Sequence, residues 1–171
     1  SRMPDMATIY DSELNIVDIV NPQEHVLHGN DIKKMVGRNL FEISEEYTRF
    51  ADMMNCIISN VKATIETGEV RVFNYEYVKD NETKYTKARV VPFGEDSVIC
   101  FTHDVTPYVV AEKEILQLKT FLQSIMDNLP VGLFIKDVDN HFRYRFYNNK
   151  VSEFYEEDFG IMLGKNDFEA N

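Results

Sequence analysis

Apolar and polar residues along this chain keep two rhythms, and the change from one to the other sets out its elements. Thr8, Ile9 and Tyr10, followed by Asp11-Ser12, predict a short strand and a turn. Ile16 to Val20 predicts a second strand, which completes a hairpin. Asn21-Pro22-Gln23-Glu24 carries three agreeing helix-start signals: a capping asparagine, a proline suited to the first turn, and a glutamate able to close a capping box. Gly29 ends that helix within two turns, and a further short helix runs from Asp31 to Gly37. From Glu45 the period is helical for longer. Tyr47, Phe50, Met53 or Met54, Ile57, Ile58 and Val61 mark one face, closed by Gly68. Three strands follow, Val70 to Val78, Lys84 to Val91 and Ser97 to His103, with turns at Asp80-Asn81-Glu82-Thr83 and over 92–96.

At Asp104-Val105-Thr106-Pro107 the alternation stops. Thr106 suits an N-cap, and Pro107 suits a first helical position, where an N–H has no partner anyway. Ala111, Ile115, Leu118, Leu122, Ile125 and Leu129 then recur at spacings of four and three, the a/d seam of a coiled coil. Pro130 stops the run, so the helix covers roughly 22 residues and about 33 Å. Burying the five large side chains is worth roughly 1.5–3 kcal/mol each, against an association cost of about 4–15 kcal/mol. The seam alone therefore pairs weakly. A homodimer through helix and sheet is the expectation, because the stripe otherwise stands in solvent.

After Pro130 the pattern resumes. Val36-Gly37-Arg38-Asn39-Leu40-Phe41-Glu42 and Leu163-Gly164-Lys165-Asn166-Asp167-Phe168-Glu169 match as apolar-Gly-basic-Asn-x-Phe-Glu. Asn21 maps to Asn148 at the same offset, and Asp11 to Asp137 one residue short. Several landmarks in order indicate an internal repeat, so residues 130–171 read as the opening third of a second copy. A hairpin with short helices is marginal alone, so this segment is expected to need packing against something else.

Composition narrows the function. A chain of 171 residues with 44% apolar and 12% aromatic residues can form a packed core. A net charge of −11 argues against nucleic acid and anionic membrane surfaces. No apolar run reaches a membrane span, and no signal-peptide pattern is seen at the start of the sequence. Cys56 and Cys100, both in apolar contexts, are too few for a disulfide framework, which points to a reducing, cytoplasmic setting. The chain can equally be the cytosolic part of a larger, membrane-anchored protein.

The element order, the Gly37-Arg38-Asn39-Leu40-Phe41-Glu42 step and the strand ending in Asp104-Val105-Thr106 before a long helix resemble the PAS domain family. The resemblance covers residues 7–109 and recurs over 130–171, where Asp127-Asn128-Leu129-Pro130-Val131-Gly132 forms a similar opening. It implies an α+β fold: a five-stranded antiparallel sheet, a helical cover on one face with a cavity between, then a long linker helix. It implies a division into a sensor domain over 1–106, a signalling helix over 107–129 and an incomplete second domain over 130–171. It also implies sensing, with signals relayed through the helix to an effector, often a histidine kinase.

Asp104 and Thr106 are then the relay junction, because their side chains can serve N–H groups that the strand no longer uses and the helix does not yet use. The plain alternative makes them a turn residue and an N-cap. Haem and flavin are disfavoured as cofactors. The helical cover at 45–67 has no histidine, and Asn39-Leu40-Phe41-Glu42 lacks the cysteine of the light-sensing relatives. His25 and His28 stand three apart without further ligands, so no metal site is expected. No phosphate loop or activated nucleophile appears, so no enzyme activity is expected; the seam helix has no histidine, which places any kinase core outside this chain. A cone-shaped hydrolase pocket would need a buried acid–base pair, and none is evident.

A small-molecule ligand stays open. Its pocket candidates are Met54, Ile58, Tyr75, Arg89 and Phe101. Phe73, Tyr75 and Tyr77 share one strand face and Val72, Asn74, Glu76 and Val78 the other, with the inward one undecided. Glu76 and Arg89 suggest a cross-strand ion pair.

Overall fold

A computed structural model describes residues 6–20, 32–155 and 159–169. They divide into two compact units, residues 1–110 and 111–171. The predicted Asn21 helix, with His25 and His28, lies outside the described residues, as does Asp31.

In the first unit, β1 (Met6–Asp11) and β2 (Ile16–Val20) form the expected hairpin, and β3 (Arg71–Lys79), β4 (Glu82–Phe93) and β5 (Ser97–Asp104) complete the sheet. The order is β2-β1-β5-β4-β3, with every pair antiparallel. The chain thus leaves β2, builds its helical cover, and returns at the far edge to fill in toward β1. The β3–β4 turn is tighter than expected. Asp80 and Asn81 alone make it, both at positive φ (53° and 63°), because such a two-residue turn matches the strands' right-handed twist.

The helical cover also differs from the single run expected from Glu45. A short 3-10 turn (Ile32–Met35) precedes α1 (Leu40–Glu46), a second one (Thr48–Phe50) follows, and α2 (Ala51–Thr67) comes last. Asn39 starts α1 by accepting the Phe41 N–H at 2.9 Å. The 3-10 turn after Tyr47 separates α1 from α2, and Leu40, Ile43 and Phe50 are all buried in one core.

The undecided sheet face is settled by burial. Phe73, Tyr75 and Tyr77 point inward beside Thr86, Ala88 and Val90, and Val61 of α2 packs against this face fully buried. Val72, Asn74, Glu76 and Val78 point out.

The helix α3 (Thr106–Asn128) has 23 residues, about 35 Å, and none of them is buried. In the second unit β6 (Phe134–Asp137) pairs with β7 (Arg143–Tyr147), and α4 (Asn149–Tyr155) follows. Its buried residues among those described are Val151 and Asn148. Gly132 sits so close to this small core that an added Cβ would meet Phe154 at 3.2 Å and Val151 at 3.3 Å. Among the described residues no helix is long and apolar enough to cross a membrane.

Candidate functional site

Between the inner sheet face and the helical cover lies a cavity of about 80 Å³. Alternate residues of the central strands form its floor, Thr8 and Tyr10 from β1 and Cys100 and Thr102 from β5, because Thr8 pairs with Cys100 and Met6 with Thr102. Met53, Met54 and Ile57 of α2 close it from above, and Tyr75 from the side. A water occupies about 30 Å³ of liquid, so the space suits two or three waters or a ligand of a few heavy atoms.

No charged side chain lines this cavity among the described residues. Burial pushes the Cys100 thiol up to about 12 and holds the Tyr10 and Tyr75 phenols well above their usual range. The interior is therefore neutral at physiological pH. An ion entering it would lose its hydration with no opposite charge to offset the loss, whereas a neutral apolar molecule loses little and can meet a hydroxyl.

Of the five pocket candidates, Met54 and Tyr75 line the cavity. Ile58 is buried in the same core without lining it. Arg89 and Phe101 do not belong to the cavity. They face each other on the outer side of the sheet, Arg89 opposite Val72 on one side and Phe101 on the other. The cause is strand parity: Cys100 and Val90 point in, so their neighbours point out. The Glu76–Arg89 pair fails for the same kind of reason, since the register sets Glu76 opposite Tyr85. Thr8, Tyr10, Cys100 and Thr102 were not singled out. The polar residues at every second position of β1 were a usable signal, whereas the unbroken apolar run Val98-Ile99-Cys100-Phe101 hides its own parity.

The junction after β5 is built from backbone and two side chains. Asp104 accepts the Thr106 N–H at 2.8 Å, and the Val105 carbonyl accepts from Tyr108 and Val109 at 3.0 Å each. Val105 thus caps α3, and Thr106 is its first residue rather than its N-cap. The Thr106 hydroxyl is left free to bridge to β4: it accepts the Tyr85 N–H at 2.8 Å and donates to the Tyr85 carbonyl at 3.4 Å. The Val105 N–H donates to that same carbonyl at 2.9 Å. Three bonds therefore fasten the start of the helix to one residue of the sheet.

Along α3 the seam positions Ala111, Ile115, Leu118, Leu122 and Ile125 are all exposed, Ile115 by 69%. Leu129 lies one residue past the helix end and is half-buried.

The repeat seen in sequence recurs in geometry. In the first unit Ile16 donates to the Arg38 carbonyl and Gly37 donates back to Ile16; in the second, Tyr144 and Gly164 make the same exchange with Lys165 and Tyr144. Gly37 and Gly164 both stand at positive φ (85° and 80°). Asn39 and Asn166 each accept the N–H two residues on. Both hairpins carry a bulge. Asn148, fully buried, accepts the Leu133 N–H at 2.8 Å and donates to the carbonyls of Met126 and Val131 at 2.7 and 2.9 Å.

No family model matches the chain, and no curated protein matches it. Solved structures do. The Vibrio cholerae VqmA dimer, described in the absence of target DNA and as bearing on LuxR-type receptors, aligns with a TM-score of 0.50 at 16% identity, over 64% of this chain and 51% of that one. The PAS domain of Bordetella pertussis BvgS aligns at 0.47 and 13% identity over 70% and 86%. That of the Cronobacter turicensis RpfR quorum-sensing receptor, in complex with BDSF, aligns at 0.45 and 18% over 62% and 98%. The five-stranded sheet in its order and the helical cover on one face are a PAS-like α+β fold.

Proposed function

We propose that residues 1–106 are a sensory module that reads a small neutral molecule in the cavity. Asp104 and Thr106 pass its occupancy into α3, and residues 107–129 carry it toward an effector. The module is non-catalytic and cytoplasmic, and serves as the input region of a signal-transduction protein such as a sensor histidine kinase. The seam from Ala111 to Leu129, exposed along α3 as far as Ile125, pairs two copies, a state that sedimentation equilibrium reads directly. Residues 130–171 are the opening of a second PAS-like domain, a reading supported by the repeated Gly37 and Gly164 hydrogen bonds.

The observation that carries this reading is the uncharged cavity, whose floor strand β5 runs directly into the hydrogen-bonded junction. A second reading, a ligand-free dimerisation scaffold, is favoured by the cavity's small size. Xenon separates the two, because it enters apolar cavities of this scale. In methyl spectra under xenon pressure, the Met53, Met54 and Ile57 signals should shift saturably while Val61 stays still. Absence of saturable shifts would leave the scaffold reading.

A further inference from the structure

Beside the cavity lies a second hollow of about 440 Å³, between the first turns of α2 and the strand β3. Its walls carry charge where the cavity's do not: Arg49, Asp52 and Glu76 line it, with Cys56 and Asn74 beside them on α2 and β3. Phe50, Met53 and Tyr75 line both spaces. These three side chains separate the groove from the apolar chamber on this side.

We infer that the groove is the way into the cavity and that Phe50 is its gate. The inference rests on the reading of the cavity as a ligand chamber. Four observations converge on it. β3 is the last strand of the sheet, so no neighbouring strand closes the groove from outside. Phe50, 3% exposed, stands where the chain passes from a 3-10 turn into α2, and no side chain caps that helix start. Swinging Phe50 aside therefore breaks no capping bond; it gives up packing and the edge-on contact with Tyr77, centroids 6.1 Å apart. Met53, the second member, is unbranched and repacks readily. The Arg49 guanidinium lies 4.5 Å over the Phe50 ring and covers the gate from the groove side. The floor strands, in contrast, are tied by continuous ladders on both sides. The groove carries charges of both signs, so the selection for neutral ligands falls to the uncharged chamber.

The chain holds its own reporter. Its two cysteines are Cys56, in the groove, and Cys100, buried in the cavity. In a Cys56→Ser chain, methyl methanethiosulfonate can react with Cys100 alone: the thiolate attacks the reagent's sulfur, forms a methyl disulfide and expels methanesulfinate. At fixed pH, Phe50→Ala should raise the Cys100 rate at least tenfold, and Phe50→Trp should lower it severalfold. Val61→Ala is the control, since Val61 is buried on the same helix but lines neither space. Equal acceleration by Phe50→Ala and Val61→Ala, at matched urea midpoints, means that the reagent enters through unfolding and overturns the gate. An unchanged rate in Phe50→Trp overturns it too. These rates are readable whether or not xenon occupies the cavity, so the gate and the chamber reading fail separately.

Discussion

In an Asn148→Ala chain the amides of β6 and β7 lose protection by about two to three orders of magnitude, while those of β4 and β5 keep theirs. The second unit depends on this one side chain. Its removal leaves the Leu133 N–H and the Met126 and Val131 carbonyls without their partner at a site with no solvent access. Each orphaned buried group costs about 1–3 kcal/mol, so a loss of roughly 3–4 kcal/mol is expected. A two-stranded hairpin with so few buried residues has little stability in reserve. Asn148→Asp should be at least as damaging, because it keeps the acceptor for Leu133 but sets a buried carboxylate oxygen against the Met126 and Val131 carbonyls. Residue-resolved hydrogen exchange measures all three chains. Wild-type protection in Asn148→Ala would mean that the fragment is held by something other than this asparagine.

The first unit should be unusually sensitive to alkali. Cys100 and Tyr77 are pushed up to about 12, in both cases chiefly by burial, and burial raises Tyr10 and Tyr75 further. In the unfolded chain a thiol titrates near 8.5 and a phenol near 10. Folded-state values above unfolded ones mean that the native form holds its protons longer. The stability these four groups confer is complete below about pH 8.5 and drains away as pH rises toward the folded values. Each group draws about 1.4 kcal/mol per pH unit, so together they remove roughly 5 kcal/mol per unit above pH 10. Set against a domain stability of about 5–15 kcal/mol, that places unfolding at roughly pH 11–12. Tyrosinate absorbance should appear in one cooperative step with loss of sheet circular dichroism. Phenol ionisation near pH 10 with the sheet intact would show that these tyrosines are not sealed in the core.

The parts of the fold legible in the sequence were those governed by local chemistry. The β1–β2 turn, the Asp80-Asn81 reversal, the strand-to-helix change at Asp104–Thr106 and the stop at Pro130 each rest on residues whose backbone preferences are strong. What was not legible depends on partners distant in sequence. Phe101 fell on the wrong face because β5 is apolar on both sides over 98–101, so its parity is fixed only by pairing with β1 and β4, whereas the alternation Lys87-Ala88-Arg89-Val90 already marked Arg89 as outward. The helix expected from Glu45 is cut at Tyr47, a break the apolar spacing does not signal, because Tyr47, Phe50 and Met53 three apart suit a 3-10 turn as well as an α-helix. Thr106 was read as a cap because threonine caps commonly. Its hydroxyl instead reaches Tyr85, 21 positions earlier in the chain, a neighbour that only the assembled sheet supplies.

That hydroxyl is also where the proposed relay is most exposed to experiment. The direct measurement is the amide response of Tyr108 and Val109, the first helical N–H groups bonded to Val105, as xenon fills the cavity in wild type and in Thr106→Val. The relay predicts saturable shifts of both amides in wild type, tracking those of the cavity methyls, and their loss in Thr106→Val with the methyl shifts retained. Cavity methyls that respond while Tyr108 and Val109 stay still in wild type, or helix amides that respond equally without the hydroxyl, would contradict it.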